Sequence, residues 1–228
     1  MARKKTEDTV QRVFFTSDLW FYRENIIEIY GRKFKDVESM NDTIADNWNS
    51  TVGDTDVVFI LGNYIYDTTR FELINSRLKG IKILLPTDTD KSVLTMSTDV
   101  IDDIITVDES QRALLDDDYE RMLLIERVGL ASSRTEYVLM LKRIQSTVNE
   151  FVVLNNGIVE LPPYGVVLSH YPLLDWNGKE SGTINLHGGT VPSANLKTEK
   201  RLNVRTDLFN FCPVSYDSIM SIIKKTQE

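Results

Sequence analysis

The amino-acid sequence predicts a mixed α/β fold, and three observations carry that expectation. Short apolar runs alternate with helical patterns over residues 10–90, and strand patterns dominate after about 150. Five of the apolar runs end in polar loops: FFTSDLW (14–20), VFILGN (58–63), KILLPTDTD (82–90), VVLSHYP (166–172) and INLHGGTV (184–191). In α/β sheets, ligands gather where strands hand over to loops at their carboxyl ends, so these five loops are where a site is expected. A chain of 228 residues can bury one substantial core, and no clear linker divides it, so residues 1–228 are read as one domain.

Residues 10–16 read as the first strand. Asp36 is placed to cap a helix on which Val37, Met40, Ile44 and Trp48 share one face. Residues 57–61 form a continuous apolar run, as a strand covered on both faces requires. A helix with Phe71, Ile74 and Leu78 inward follows, with Gly80 as its stop and a third strand over 81–85. The stretch 99–148 changes character. After a strand pattern at 99–107 it reads as a helical insert, with helices over 109–125 and 135–148. Asp116–Asp118 there is a solvated helix face or start. Residues 150–161 read as a β-hairpin turning at Asn156-Gly157. Strands over 166–169, 183–186 and 202–204, and a last helix capped by Ser215, complete the set.

Charged residues make up 26% of the chain, and the formal net charge of −8 argues against a nucleic-acid binder that works by phosphate neutralisation. The cluster Arg3-Lys4-Lys5 is too short to change that balance. Cys212 is the only cysteine, which excludes an internal disulfide and fits a reducing, cytoplasmic setting. No apolar run reaches membrane-spanning length and no signal-peptide core is read at the N-terminus, so no membrane association is expected.

The segments TSDLWFYRENII (16–27), DVESMNDTIADNWNSTVGDTDVVFILGN (36–63), GIKILLPTDTD (80–90), GVVLSHYPLLDWNGK (165–179), GTINLHGGT (182–190) and RLNVRTDLFNFCPVS (201–215) together resemble small calcineurin-like metallophosphoesterases of bacteria and phages. The resemblance covers nearly the whole chain except roughly 91–150. It implies a two-sheet β-sandwich flanked by helices, with a dinuclear metal centre at one end. In that family two cations activate water and clamp phosphoryl oxygens.

By the same resemblance, most of the ligands have been replaced. The family's Asp-x-His is Asp18-Leu19-Trp20, where an indole offers a metal no lone pair. Its Gly-Asp is Gly62-Asn63, an amide in place of the carboxylate that bridges both cations. Its Gly-Asn-His-Asp aligns with Thr87-Asp88-Thr89-Asp90, so Asp88 keeps a donor and Thr89 loses the histidine. His170 is retained, while Gly-His-x-His has become Gly188-Gly189-Thr190-Val191. The remnant of the site is therefore Asp18, Asn63, Asp88 and His170, and Trp20, Thr89, Gly189 and Val191 are substituted positions. His187 aligns with no ligand and reads as a structural histidine.

No cofactor is expected, and the residual oxygen donors suit at most a single weakly held divalent cation. The implied function is that of an inactive metallophosphoesterase-like protein serving as a structural or protein-interaction module, with a phage virion or accessory role resting on family association alone. The alternative is a residual metal-dependent phosphodiesterase with altered ligands. A nucleotide sensor ranks last, because neither a phosphate loop nor a basic cluster marks the site. A protein partner or larger assembly is expected, with the 99–148 insert as one candidate contact. The aromatic residues Trp20, Phe21, Tyr22 and Trp176 around the loops are either core packing or a partner surface.

Overall fold

The structure, a computed structural model, describes residues 12–90, 93, 100–101, 151–154, 157–161, 164–189, 197–198 and 200–227. Expectations for Val191, Asp116–Asp118, the N-terminal basic cluster and most of the 99–148 insert lie outside these residues.

In chain order the strands are β1 (Val13–Thr16), β2 (Val57–Ile60), β3 (Ile81–Leu84), β4 (Val100–Ile101), β5 (Phe151–Leu154) and β6 (Ile158–Leu161). They continue as β7 (Val166–Ser169), β8 (Ile184–His187), β9 (Lys197–Thr198), β10 (Arg201–Asn203) and β11 (Val214–Ser215). The helices are α1 (Ile26–Tyr30), α2 (Val37–Thr51), α3 (Phe71–Asn75) and α4 (Tyr216–Gln227). A six-stranded sheet has the order β11-β1-β2-β3-β5-β4, and a five-stranded sheet has the order β6-β7-β8-β10-β9. Both are mixed. The first is parallel except for β11, while in the second β7, β8 and β10 are parallel and the edges β6 and β9 are antiparallel.

Strand periodicity explains where the cores sit. On β1 to β3, Phe15, Phe59 and Ile83 join Val166, Leu168 and Leu186 of the second sheet in one apolar cluster. The alternate residues Phe14, Val58, Ile60 and Leu84 join Met40, Ile44 and Trp48 of α2 in another. The first sheet is therefore covered on both faces, as the uninterrupted apolar run at 57–61 requires. Lys82 is the exception on the helix-facing side. It is fully buried, and its Nζ donates to Leu78 O at 2.8 Å and Asn75 O at 3.4 Å, carbonyls at and just beyond the end of α3. A cation is favoured there because the carbonyl end of a helix is negative.

The signals of α2 and α4 hold in detail, whereas α3 stops at Asn75, short of the Leu78 and Gly80 expected to end it. Asp36 Oδ1 accepts from Ser39 N at 2.8 Å, and Ser39 Oγ accepts in turn from Asp36 N at 3.3 Å, a complete capping box. Val37, Met40, Ile44 and Trp48 are all buried. Ser215 Oγ accepts from Ser218 N at 3.2 Å at the start of α4, whose Ile219 and Ile223 close the inter-sheet core.

The hairpin expected over 150–161 is not formed. β5 pairs with β3 and β4 in the first sheet, whereas β6 pairs with β7 in the second. The two segments differ in kind: Phe151–Leu154 is continuously apolar, while Ile158–Leu161 turns Ile158 and Glu160 to solvent. One suits an interior parallel strand and the other an edge, so the Asn-Gly signal marks a passage between sheets. Among the described residues, no helix is long and apolar enough to cross a membrane.

Replacing Asp36 by Ala should lower stability by about 1 kcal/mol through loss of the cap. The measurement is the urea midpoint, which should fall with no change in slope.

Candidate functional site

Strand ends from both sheets meet at one place. Ser17-Asp18 follows β1, Gly62-Asn63 follows β2, the 3-10 turn Asp88–Asp90 follows β3, His170 follows β7 and Gly188-Gly189 follows β8. Asn63 is the centre. Its Nδ2 donates to Asp18 Oδ1 at 2.7 Å and faces His170 Nε2 at 3.3 Å. Its Oδ1 accepts from Thr89 Oγ1 at 2.6 Å and lies 3.0 Å from Thr87 Oγ1, whose single proton has a nearer acceptor in Asp90 Oδ2 at 2.8 Å. A carboxylate can only accept, so Asp18 fixes which end of the amide carries the nitrogen. His170 Nδ1 lies 2.6 Å from Leu61 O, and only a protonated Nδ1 can bond a carbonyl, which leaves Nε2 to accept from Asn63.

The remaining valences are filled from the same loops. Asp18 Oδ2 accepts from Ser17 Oγ and Gly189 N, both at 3.0 Å. Asp90, also fully buried, accepts from Asn63 N and Tyr64 N at 2.8 and 2.9 Å, and from Thr87 N and Oγ1 at 2.9 and 2.8 Å. Burial raises its pKa above the ordinary carboxylate value, against the pull of these bonds.

Of the residues singled out in the sequence, Asp18, Asn63, His170, Thr89 and Gly189 are thus brought into one network. Asp88 is exposed at the rim of the adjoining cleft, while Trp20 is buried along the cleft wall. The next carboxylate of the same turn, Asp90, is the one that binds the backbone amides of Asn63, Tyr64 and Thr87. Gly189 has φ of +60°, and a Cβ there would lie 2.8 Å from His170 Nε2, so no larger residue fits as the loop stands.

The residues present do not fit a dinuclear metal centre. Among the described residues no cluster of three or more His, Cys, Asp and Glu side chains has ligand geometry. The two best donors, Asp18 and His170, point at the Asn63 amide nitrogen, a group with no lone pair to share. A cation could approach both only by displacing that amide.

Two features escaped sequence reasoning. Asp18, Trp20, Tyr22 and Asn63 all adopt left-handed backbone, with φ between 55° and 60°. Asp and Asn tolerate that region, whereas a Trp or Tyr there is strained by about 1–3 kcal/mol. Arg32 holds the strained loop. Its Nη2 donates to Asp18 O at 2.6 Å and its Nη1 to Leu19 O at 3.0 Å, while Nε and Nη2 bind both oxygens of Asp207 at 2.8 and 2.9 Å. Asp207 also lies 3.4 Å from Arg205 Nε. The cap-like position of Arg32, after Gly31 at the end of α1, carries no motif that would have marked it.

His187 is buried on the second sheet, its Nδ1 3.0 Å from Gly188 O, and desolvation lowers its pKa below the ordinary 6.5. It takes no part in the Asn63 network.

No family model matches the chain. One similar curated protein is the uncharacterized protein MJ1445 of Methanocaldococcus jannaschii, 33% identical over 81 residues. That match takes in 32% of this chain and 46% of MJ1445, so the chain spans less than half of that relative. Among solved structures, the protein of unknown function AQ665 from Aquifex aeolicus aligns over 93% of this chain and 100% of its own, with a TM-score of 0.53 and 19% identity. At that identity the likeness establishes a shared fold and carries no activity across.

Asn63→Asp sets a second carboxylate against Asp18 and removes the donor to His170. It should cost about 3–5 kcal/mol at neutral pH, partly recovered in acid where one carboxylate takes a proton, as read by urea unfolding at several pH values. A folded-state pKa below 6.5 means that the unfolded chain binds the His187 proton more tightly. Stability from this residue is complete above pH 6.5 and is lost as pH falls below it towards the folded value. The urea midpoint of wild type should therefore drop on acidification in that window, and His187→Gln should flatten the drop.

Proposed function

We propose that the chain is a metallophosphoesterase-like protein of the calcineurin type that has exchanged its metal chemistry for an internal hydrogen-bond network, and that it serves as a structural or protein-interaction module. One observation carries the reading. The Asn63 amide directs both of its protons to Asp18 and His170 and accepts from Thr89, with the Thr87 hydroxyl 3.0 Å from the same oxygen. A family enzyme needs a bridging anion at that position to hold two cations together. An amide supplies no charge, and its NH₂ occupies the point on which Asp18 and His170 converge.

The resemblance of the strand-end loops to the family and the shared meeting of several strand ends support the fold half of the proposal. The retained, well-packed framework supports the other half, because a fold kept without its chemistry is used for its surface.

Protein purified with excess Mn²⁺ and freed of unbound ion should hold less than about a tenth of an equivalent of metal by elemental analysis. Near-stoichiometric metal, with phosphodiester turnover lost in Asp18→Ala and His170→Ala, would overturn the proposal in favour of a residual phosphodiesterase. A second comparison isolates the amide. Mn²⁺ should raise the melting temperature of Asn63→Asp in a concentration-dependent way and leave wild type unmoved.

A further inference from the structure

We propose that Asn177 is a site of spontaneous deamidation in the folded protein, and that its conversion to a carboxylate cuts the tie between its loop and β6. The loop, residues 170–183, joins β7 to β8 and carries Tyr171 and Leu173 to the cleft beside the Asn63 network. Asn177 is exposed on it, and its Nδ2 donates to Glu160 Oε2 on the edge strand β6 at 3.1 Å.

The reaction needs a backbone nitrogen that can reach the Cγ of the asparagine before it. Among the described asparagines, only Asn177 precedes a glycine. The fold demands that glycine: Gly178 has φ of +77°, and a Cβ there would lie 2.7 Å from Thr183 Cγ2. With no Cβ, the residue does nothing to shield its own nitrogen from the Asn177 side chain. Other groups hold the turn. Gly178 O accepts from Ser181 N at 2.9 Å and Thr183 N at 3.0 Å, and Asn177 O accepts from Thr183 Oγ1 at 2.9 Å. None of these bonds uses the Gly178 N–H.

Asn49 and Asn75, each followed by a serine, show the contrast. Ser50 lies inside α2, where its N–H belongs to the helix ladder. The Asn49 amide is also fixed at both ends, by Arg77 O at 2.7 Å and Lys79 N at 2.9 Å. Ser76 N donates to Glu72 O at 3.1 Å. A nitrogen bound to a carbonyl in this way is not free to attack.

In the first step Gly178 N bonds to Asn177 Cγ and the Cγ–Nδ2 bond breaks. Nδ2 leaves as ammonia, taking the proton that Gly178 N gives up. Water then opens the cyclic imide at either carbonyl, giving aspartate or an isoaspartate whose main chain runs through Cβ. Each product puts a carboxylate where an NH₂ had donated to Glu160. A donor–acceptor contact becomes a contact between like charges, and the loop loses that bond to β6.

The test incubates the folded full chain in mildly alkaline buffer and cuts it at glutamate. Fragments ending at Glu160 and Glu180 separate Asn177 from Asn156, which lies outside the described residues. Asn177 carries the one side-chain amide of fragment 161–180, which should show the mass change of an amide turned acid, in aspartate and isoaspartate forms. A synthetic peptide of residues 170–184 gives the unrestrained rate. Exposed loops open at small cost, so the folded rate should lie within about tenfold of the peptide's. A larger gap, or earlier conversion at Asn49 or Asn75, would overturn the assignment.

The consequence is read by trypsin cleavage of the native protein after Lys179, in the same loop. Asn177→Asp should speed that cleavage about two- to fivefold, the range for an exposed charged contact. Adding Glu160→Gln should restore the wild-type rate, because an amide can donate to the new carboxylate. Unchanged cleavage in Asn177→Asp, or no restoration by the second change, would overturn the loss of the β6 tie.

Discussion

An amide side chain can give protons and accept them at once, and Asn63 does both at the point where two sheets meet, giving to Asp18 and His170 and accepting from Thr89. The site depends on that balance because its other groups are one-sided. Asp18 accepts only, the threonine hydroxyls have one proton each, and His170 has one accepting nitrogen. A group of opposite sense on each side is needed between them, and in a buried place every unmet valence is costly. The network thus does without ions what a cation with its ligands would otherwise do, which is to hold carboxylate, imidazole and three loops at fixed distances.

Holding those loops carries a conformational cost that is met by distant residues. The run from Asp18 to Tyr22 alternates into left-handed backbone three times, at Asp18, Trp20 and Tyr22. Backbone bonds from Asp18 N to Gly62 O and from Trp20 N to Asn63 O tie it to the β2 loop. The Arg32 guanidinium ties it to Asp207, which lies far along the chain in the 3-10 turn Thr206–Phe209. A buried arginine is tolerable because its protons are distributed over two carbonyls and a carboxylate.

Much of this was legible in the sequence, and the parts that were not have a common cause. The strand ends at Asp18, Asn63, His170 and Gly189 could be read because apolar runs stop there and polar residues begin. The α2 face and its Asp36 cap could be read because helical spacing and capping are local. The hairpin at 150–161 failed because a turn dipeptide says that the chain bends, and sheet membership depends on which partners lie on either side. The part of Asp90 was not legible because only the three-dimensional turn reveals which carboxylate faces the backbone amides of Asn63 and Tyr64. Arg32 and Asp207 are invisible for the same reason: their pairing spans most of the chain.

The pairing of Phe14 with Ser215 has a consequence for how the molecule comes to exist at all. The outer edge of β1 is covered by residues synthesised some 200 positions later, and α4, which seals the inter-sheet core, follows them directly. On the ribosome, β1 and β2 can pair early, but that edge stays open until β11 has emerged. An open parallel edge bearing Phe14 and Phe15 is a template for other strands. The hazardous interval in this protein's life is therefore the time spent waiting for β11, and whatever shields a nascent chain must do so until then.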